Sequence, residues 1–186
     1  MKIFIETERL ILRELVPDDA TGIFEMDSDP EVHRYLGNQP ISNMGQAEDG
    51  IQLIRKQYVD NGIGRWAVIE KETGQFIGWS GLKLMPAPAD VPTNLYDLGY
   101  RFIKKYWGKG YATESAKATI KYGFKKLKLN ELFAIADINN EVSMRVLMKV
   151  GLVSIGEFDF EGVPHSWYRI TKDDWGNKLD LKDHGV

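Results

Sequence analysis

The stretch from Leu98 to Ser115 limits most strongly what this chain can fold into. The apolar run Leu98-Gly-Tyr-Arg-Phe-Ile103 has the character of a strand, Gly108-Lys109-Gly110 interrupts it, and the residues after Tyr111 are patterned as a helix. Ala112, Ala116, Ile120, Gly123, Phe124 and Leu127 recur at helical spacing, and Lys125, Lys126 and Lys128 put positive charge where a helix C-terminus favours it. A strand that enters a glycine turn and leaves as a helix presents free backbone N–H groups and a positive dipole end. Glycine lets a ligand come close to that backbone. Phosphate is the natural occupant, so the turn reads as a pyrophosphate cradle.

Spacing separates the nucleotide folds that use such turns. The kinase and ATPase phosphate loop needs four residues between its glycines and then Lys-Ser or Lys-Thr. Here Lys109 alone separates Gly108 from Gly110, and no such pair follows. The dinucleotide fingerprint needs a third glycine where Thr113 stands; Glu131 lies about 20 residues on, as that motif's acid would, but precedes the next strand. A bare Gly-x-Gly is also compatible with a purely structural turn.

With its flanks added, Lys105-Tyr-Trp-Gly108-Lys-Gly110-Tyr-Ala-Thr-Glu resembles the acetyl-CoA signature of the GNAT N-acetyltransferases: Arg or Gln, two residues, Gly, one residue, Gly or Ala. Lys105 departs from the usual Arg or Gln, which leaves the backbone role of the loop intact. A second block, Asp137-Ile-Asn-Asn140-Glu-Val-Ser143 through Lys149-Val-Gly151-Leu152, resembles the family's following helix, with Leu152 in place of the common Phe. Thr7-Glu-Arg-Leu-Ile-Leu-Arg13, Pro17-Asp-Asp-Ala20 and Asp29-Pro-Glu-Val-His-Arg-Tyr35 are similar to the branch holding the ribosomal-protein N-terminal acetyltransferases of the Rim type. The match runs over about residues 6 to 175.

The resemblance implies an α+β fold of three layers, α/β/α: a mixed, mostly antiparallel sheet of about seven strands, with a parallel pair flanking the phosphate-loop helix. It implies acetyl-CoA as co-substrate and no metal. The CoA contacts it implies run along Phe102, Ile103, Lys105, Trp107, Gly108, Lys109, Gly110, Tyr111, Ala112 and Thr113, with Asn140 and Ser143 on the pantetheine arm.

Bulk properties agree. A chain of 186 residues at 43% apolar content can bury one sizeable core, and no break in composition marks a second domain, so residues 1–186 read as a single domain with a tail at about 176–186. The absence of cysteine excludes disulfides, Cys-based zinc sites and a Cys acyl-enzyme, and fits direct acyl transfer in a reducing cytoplasm. No apolar run approaches the ~20 residues of a membrane span. A net charge of −3 with dispersed Lys and Arg gives no basic face for nucleic acid and slightly favours a cationic acceptor. The expected state is a cytoplasmic monomer or homodimer that meets no membrane.

Periodicity and punctuation predict a strand over 9–14, helices over about 17–28 and 46–61, and a hairpin of 66–71 with 75–84 around Glu72-Thr-Gly74. Pro86, Pro88 and Pro92 make 85–94 a loop. A strand over 95–103, the phosphate helix, a strand over 132–136, a helix over 140–150 and a hairpin of 153–160 with 164–170 complete the chain. The two strands flanking the phosphate helix should lie parallel with a right-handed crossover.

Amide synthesis from a thioester needs a neutral amine, a stabilised carbonyl oxygen and a proton for the thiolate. For the oxyanion, Gly99 marks a place for the family's strand bulge, with Tyr100 N–H as donor; Gly99 could equally just relieve a clash. Asp97, at the cleft edge, is the candidate base, against a solvated strand-end charge; Glu157 and His165 are rivals. Ser143 is the candidate acid and Asn140 a pantetheine contact, although both suit plain helix capping. Trp66, Trp79, Tyr96, Tyr106, Trp107 and Trp167 read as core and interface residues at least as readily as an acceptor pocket. His33 and Tyr35 lie where the resembled branch shapes its acceptor side, and the loop near Ala87 is placed to gate it. The expected activity is N-acetylation of a primary amine, first a protein or peptide N-terminus. The alternatives are a small amine (polyamine, amino acid or aminoglycoside), a non-catalytic CoA sensor, or a nucleotide-binding module.

Overall fold

A computed structural model describes residues 1–85, 95–160 and 162–183. The strands are β1 (Ile3–Glu6), β2 (Leu10–Arg13), β3 (Arg65–Glu70), β4 (Phe76–Met85), β5 (Leu95–Phe102), β6 (Glu131–Asp137), β7 (Val153–Phe160) and β8 (Val163–Thr171). The helices are α1 (Ala20–Asp27), α2 (Pro30–His33), α3 (Met44–Asn61), α4 (Tyr111–Lys125), α5 (Glu141–Lys149) and α6 (Lys172–Asp183). All eight strands form one sheet in the order β1-β2-β3-β4-β5-β6-β8-β7. Among the described residues only β5 and β6 pair in parallel, and α4 joins them.

Alternation along the central strands sorts side chains to two cores. Trp66, Val68, Leu82, Leu98 and Phe102 pack with Ile120 and Phe124 of α4 and Leu147 of α5. Ala67 and Ile69, their neighbours along β3, face Ile23 and Met26 of α1 and Ala47 and Ile51 of α3. Every residue of β3 is therefore buried, as a strand covered on both faces must be. This is the three-layer α+β fold expected from the sequence.

Polar side chains fix the ends of the helices. Asp29 accepts from Glu31 N–H at 2.9 Å, Asn43 from Gln46 N–H at 3.2 Å, and Asn140 from Ser143 N–H at 3.1 Å, each satisfying an N–H that the helix leaves unpaired. Before α1, Arg13 grips Asp19 through two bonds of 2.7 Å, while the same carboxylate accepts Val16 N–H at 2.9 Å. The Pro-Asp-Asp motif thus anchors α1 to β2.

The structure corrects four expectations. The described residues form eight strands rather than about seven, because Ile3–Glu6 pairs with β2 and stacks Phe4 on Trp66 at 4.9 Å. A short helix, α2, follows the Asp29 cap. The segment from Gly176, expected to fray, continues a helix to Asp183. Its start is capped reciprocally by Thr171 and Asp174, and Trp175 packs on Phe124 at 5.4 Å. Finally, no bulge interrupts β5 against β4, since their register runs unbroken from Gly78↔Phe102 to Met85↔Leu95. The proline-rich segment read as a loop lies outside the described residues, except Met85, which ends β4.

Asp19→Ala should lower the unfolding free energy by about 3 kcal/mol, because it leaves the Arg13 charge buried without its partner. Urea denaturation checks this, and a loss of under about 1 kcal/mol would be the behaviour of an exposed pair instead.

Candidate active site

Beyond β5 the chain makes a single 3-10 turn over Lys104–Tyr106, and the indole of Trp107 donates back to Phe102 C=O at 2.8 Å. Gly108 and Gly110 follow with φ of 75° and 83°, a region in which a Cβ costs about 1–2 kcal/mol. Gly110 is the N-cap of α4, and no side chain caps that end. A Cβ built on Gly108 would meet nothing within 4 Å. An uncapped helix start beside an open glycine turn suits a diphosphate, whose oxygens would take the N–H groups that side chains leave alone.

The other residues expected to contact CoA have varied surroundings. Phe102 and Ile103 are buried, one in each core. The Lys105 ammonium donates to Glu25 on α1 at 2.7 Å, a bond that raises its pKa, so its side chain is held on α1. Lys109 Nζ sits 4.9 Å from the centre of the Tyr106 ring. Ala112 and Thr113 are half-buried in the first turn of α4. The Tyr111 hydroxyl turns inward to donate to buried Glu70, which also accepts from Thr73 at 2.7 Å.

Between β5 and β6 lies a gap. Ile103 N–H donates to Ile77 C=O at 3.0 Å. By alternation along the ladder, odd-numbered residues of β5 bond to β4, while Leu98, Tyr100 and Phe102 point their N–H groups toward β6. The one pairing with β6 is Asp97↔Phe133, so Tyr100 N–H points into the space where the strands part. The expected bulge is absent, yet the amide is presented. Gly99 serves another purpose: a Cβ there would lie 2.6 Å from Arg65 Nη2.

On the α4 and α5 face, the Tyr100 hydroxyl lies 3.1 Å from Ser143 C=O and 3.2 Å from Ser143 Oγ. Burial pushes its pKa up to about 12, so it remains a proton donor at neutral pH. The structure therefore brings Tyr100 and Ser143 together at the start of α5, where Asn140 is the cap.

The opposite face carries two ion pairs. Asp97 is bonded to the Arg65 guanidinium, which also donates to Gly81 C=O at 2.6 Å and Asp97 C=O at 2.5 Å. Burial pushes the Asp97 carboxyl up, against the pull of Arg65 and Lys83. Arg101 donates to Asp27 at 2.8 Å, and the Arg65 and Arg101 guanidinium carbons lie 5.4 and 5.1 Å from the centre of the Trp79 ring. His33 is buried here with Nε2 at 3.8 Å from Asp27. Burial and then Arg101 lower its pKa, so it is neutral at pH 7. Tyr35 is half-buried under Arg34, 5.5 Å from its ring centre. Of the rivals for base, Glu157 is exposed and His165 Nδ1 lies 2.8 Å from Val163 C=O.

Sequence reasoning missed Arg65, Asp27, Arg101 and the hydroxyl of Tyr100. Only the odd spacing of Arg65, Asp97 and Arg101 along strands signals that they share a face, and strand pairing is needed to see it. Among the described residues no His, Asp and Glu side chains group as metal ligands, and no helix is long and apolar enough to cross a membrane.

A family model for the acetyltransferase (GNAT) domain matches residues 9–153. The chain belongs to the GNAT acetyltransferases. An uncharacterized N-acetyltransferase of Bacillus licheniformis, p20, is 35% identical to this GNAT chain over 141 residues, 76% of it and 77% of the relative. The crystal structure of a GNAT acetyltransferase from Bacillus anthracis superposes with a TM-score of 0.77 at 26% identity, covering 92% of this chain and 99% of that one. A spermidine N-acetyltransferase from Vibrio cholerae, solved with CoA and spermine, shares the fold at a TM-score of 0.72 and 19% identity, over 92% of this chain and all of that one (100%). The protein is an acetyl-CoA-dependent acyltransferase with the GNAT fold.

The Glu70–Tyr111 bond yields a pH test. Hydrogen bonds from Tyr111 and Thr73 hold Glu70 below its ordinary 4.5, so its stabilisation is fully present above that value and fades as pH falls through the folded-state pKa. Tyr111→Phe should melt lower than the parent at pH 7, with the gap closing below about pH 4.5. A gap that stays constant from pH 7 to 3 would remove Glu70 as its source.

Proposed function

We propose that this GNAT enzyme acetylates the α-amine at the N-terminus of a protein or peptide, by direct attack within a ternary complex. The observation that carries this reading is the charge balance of the face opposite α4 and α5. Four carboxylates there have a cation, Asp97 with Arg65, Asp27 with Arg101, Glu25 with Lys105 and Glu31 with Lys104, while Asp29 beside them caps α2. A polycation such as spermidine needs uncompensated carboxylates along its length, whereas a single α-amine does not. An α-amine also has a pKa of about 7.7–8.0, against ~10.4 for a lysine-like amine, so a site whose carboxylate is already ion-paired has less to do. One relative, from Bacillus subtilis, is named a putative ribosomal N-acetyltransferase, in keeping with the Rim-type blocks of the sequence.

In the proposed reaction the neutral amine nitrogen bonds to the thioester carbonyl carbon. The C–S bond then breaks, leaving an amide and the CoA thiol. The diphosphate lies on the N–H groups from Gly108 to Thr113 and the pantetheine arm in the gap between β5 and β6. Tyr100 N–H stabilises the carbonyl oxygen as it gains charge. Asp97, lifted by burial, takes the amine proton directly or through water. The Tyr100–Ser143 hydroxyl pair returns a proton to the departing sulfur. His33 and Tyr35 border the acceptor.

Thiol release from acetyl-CoA with N-terminal peptides, spermidine and aminoglycosides tests the acceptor. Peptides should exceed spermidine at least tenfold in kcat/KM, with the peptide rate climbing to a plateau near pH ~8; faster turnover of spermidine refutes the reading. Tyr100→Phe should reduce kcat by about a hundredfold while leaving the acceptor KM within about twofold. An unchanged kcat would take the hydroxyl out of the reaction.

A further inference from the structure

Arg9 belongs to the motif Thr7-Glu-Arg-Leu near the start of the chain, about a hundred residues from the glycine turn in sequence, yet it reaches that turn. Its Nη1 donates to Lys109 C=O at 3.0 Å. Its Nε and Nη2 hold Glu114, in the first turn of α4, at 2.7 and 2.6 Å. The other oxygen of Glu114 accepts from Arg9 N–H at 3.1 Å and from Thr7 Oγ at 2.6 Å. The guanidinium carbon lies 4.6 Å from the centre of the Tyr111 ring. With its charge paired to Glu114, this arginine is not a spare cation awaiting phosphate.

The bond to Lys109 matters because of where that peptide sits. In a trans peptide the C=O and the following N–H point in opposite directions. Holding Lys109 C=O toward Arg9 therefore turns Gly110 N–H the other way. This peptide is flanked closely by two glycines at positive φ, the residue type that least resists rotation. Without a tether it can flip, and a flipped peptide presents a carbonyl oxygen where an anion needs a donor.

We propose that Arg9 is a positioning residue for the diphosphate of CoA, acting by locking the Lys109–Gly110 peptide with its N–H aimed at the ligand. The proposal rests on the reading that CoA binds at this turn. The N-terminal motif thereby acquires a role, since the β1–β2 turn supplies the clamp that keeps the phosphate loop in its binding form.

Calorimetry with CoA and with dephospho-CoA, which keeps the diphosphate but lacks the 3′-phosphate, tests it without knowledge of the acceptor. Arg9→Ala should weaken both ligands equally, about tenfold, the scale of one aimed hydrogen bond to a charged group. In turnover the acetyl-CoA KM should rise similarly, with kcat and the acceptor KM within about twofold. Arg9→Lys keeps the positive charge but cannot grip Glu114 and Lys109 C=O together, so it should show the same loss; it also decides the matter if the alanine variant does not fold. Wild-type affinity in Arg9→Lys would mean that charge alone suffices, and a loss confined to CoA would mean service to the 3′-phosphate; either overturns the proposal, as does unchanged binding in both variants. Failure of the unaltered protein to bind either ligand would instead remove CoA from this turn, and the proposal with it.

Discussion

The active-site geometry depends on the parting of β5 from β6. The two strands pair once, at Asp97↔Phe133, and α4 crosses between them with its start at the glycine turn. A fully paired parallel ladder would consume the N–H groups of β5 on that side and leave no room for an extended ligand. Because the pairing stops, Tyr100 offers its amide to the gap on one side and its hydroxyl to Ser143 on the α5 side. The strand's end, the turn and the helix start then follow one another beside that gap.

The second constraint is the burial of Arg65 under the opposite face. Its guanidinium bonds Asp97, Gly81 C=O and Asp97 C=O, and it fits because position 99 has no side chain. Removing one partner from such a cluster would leave a charge in an apolar setting, which costs far more than a surface pair contributes. Asp97 is therefore held in place by the same contact that opposes its protonation. Trp79, close to both Arg65 and Arg101, extends the arrangement to Asp27 and His33, so the α1–α2 end of the protein is tied to β5.

Much of this was legible in the residues. The glycine turn, the helix after it, the two hairpins and the capping role open to Asn140 all follow from local rules, because turns, caps and periodic faces are set by neighbours in the chain. The edge strand Ile3–Glu6 was not legible, since four residues acquire a strand's character only against β2 and Trp66. The helix past Gly176 was missed for a similar reason: Thr171, Asp174 and Trp175 secure its first turn through capping and packing on Phe124. The Gly99 bulge was a sound inference from glycine in a strand, but the glycine answers to a side chain 34 residues away in the sequence, at Arg65.

By itself the sequence determined the glycine turn, the alternation of helices and strands, the absence of cysteine chemistry and the resemblance to an acetyltransferase family. These are properties of short windows, in which backbone freedom, capping and hydrophobic period act directly. Tertiary structure alone decided which charges neutralise one another, which face Asp97 takes, that Tyr100 meets Ser143, and that Arg9 reaches Lys109. Those contacts join residues separated by tens of positions up to about a hundred. Their energies depend on burial and direction, which exist only once the strands have paired and the helices have packed on them.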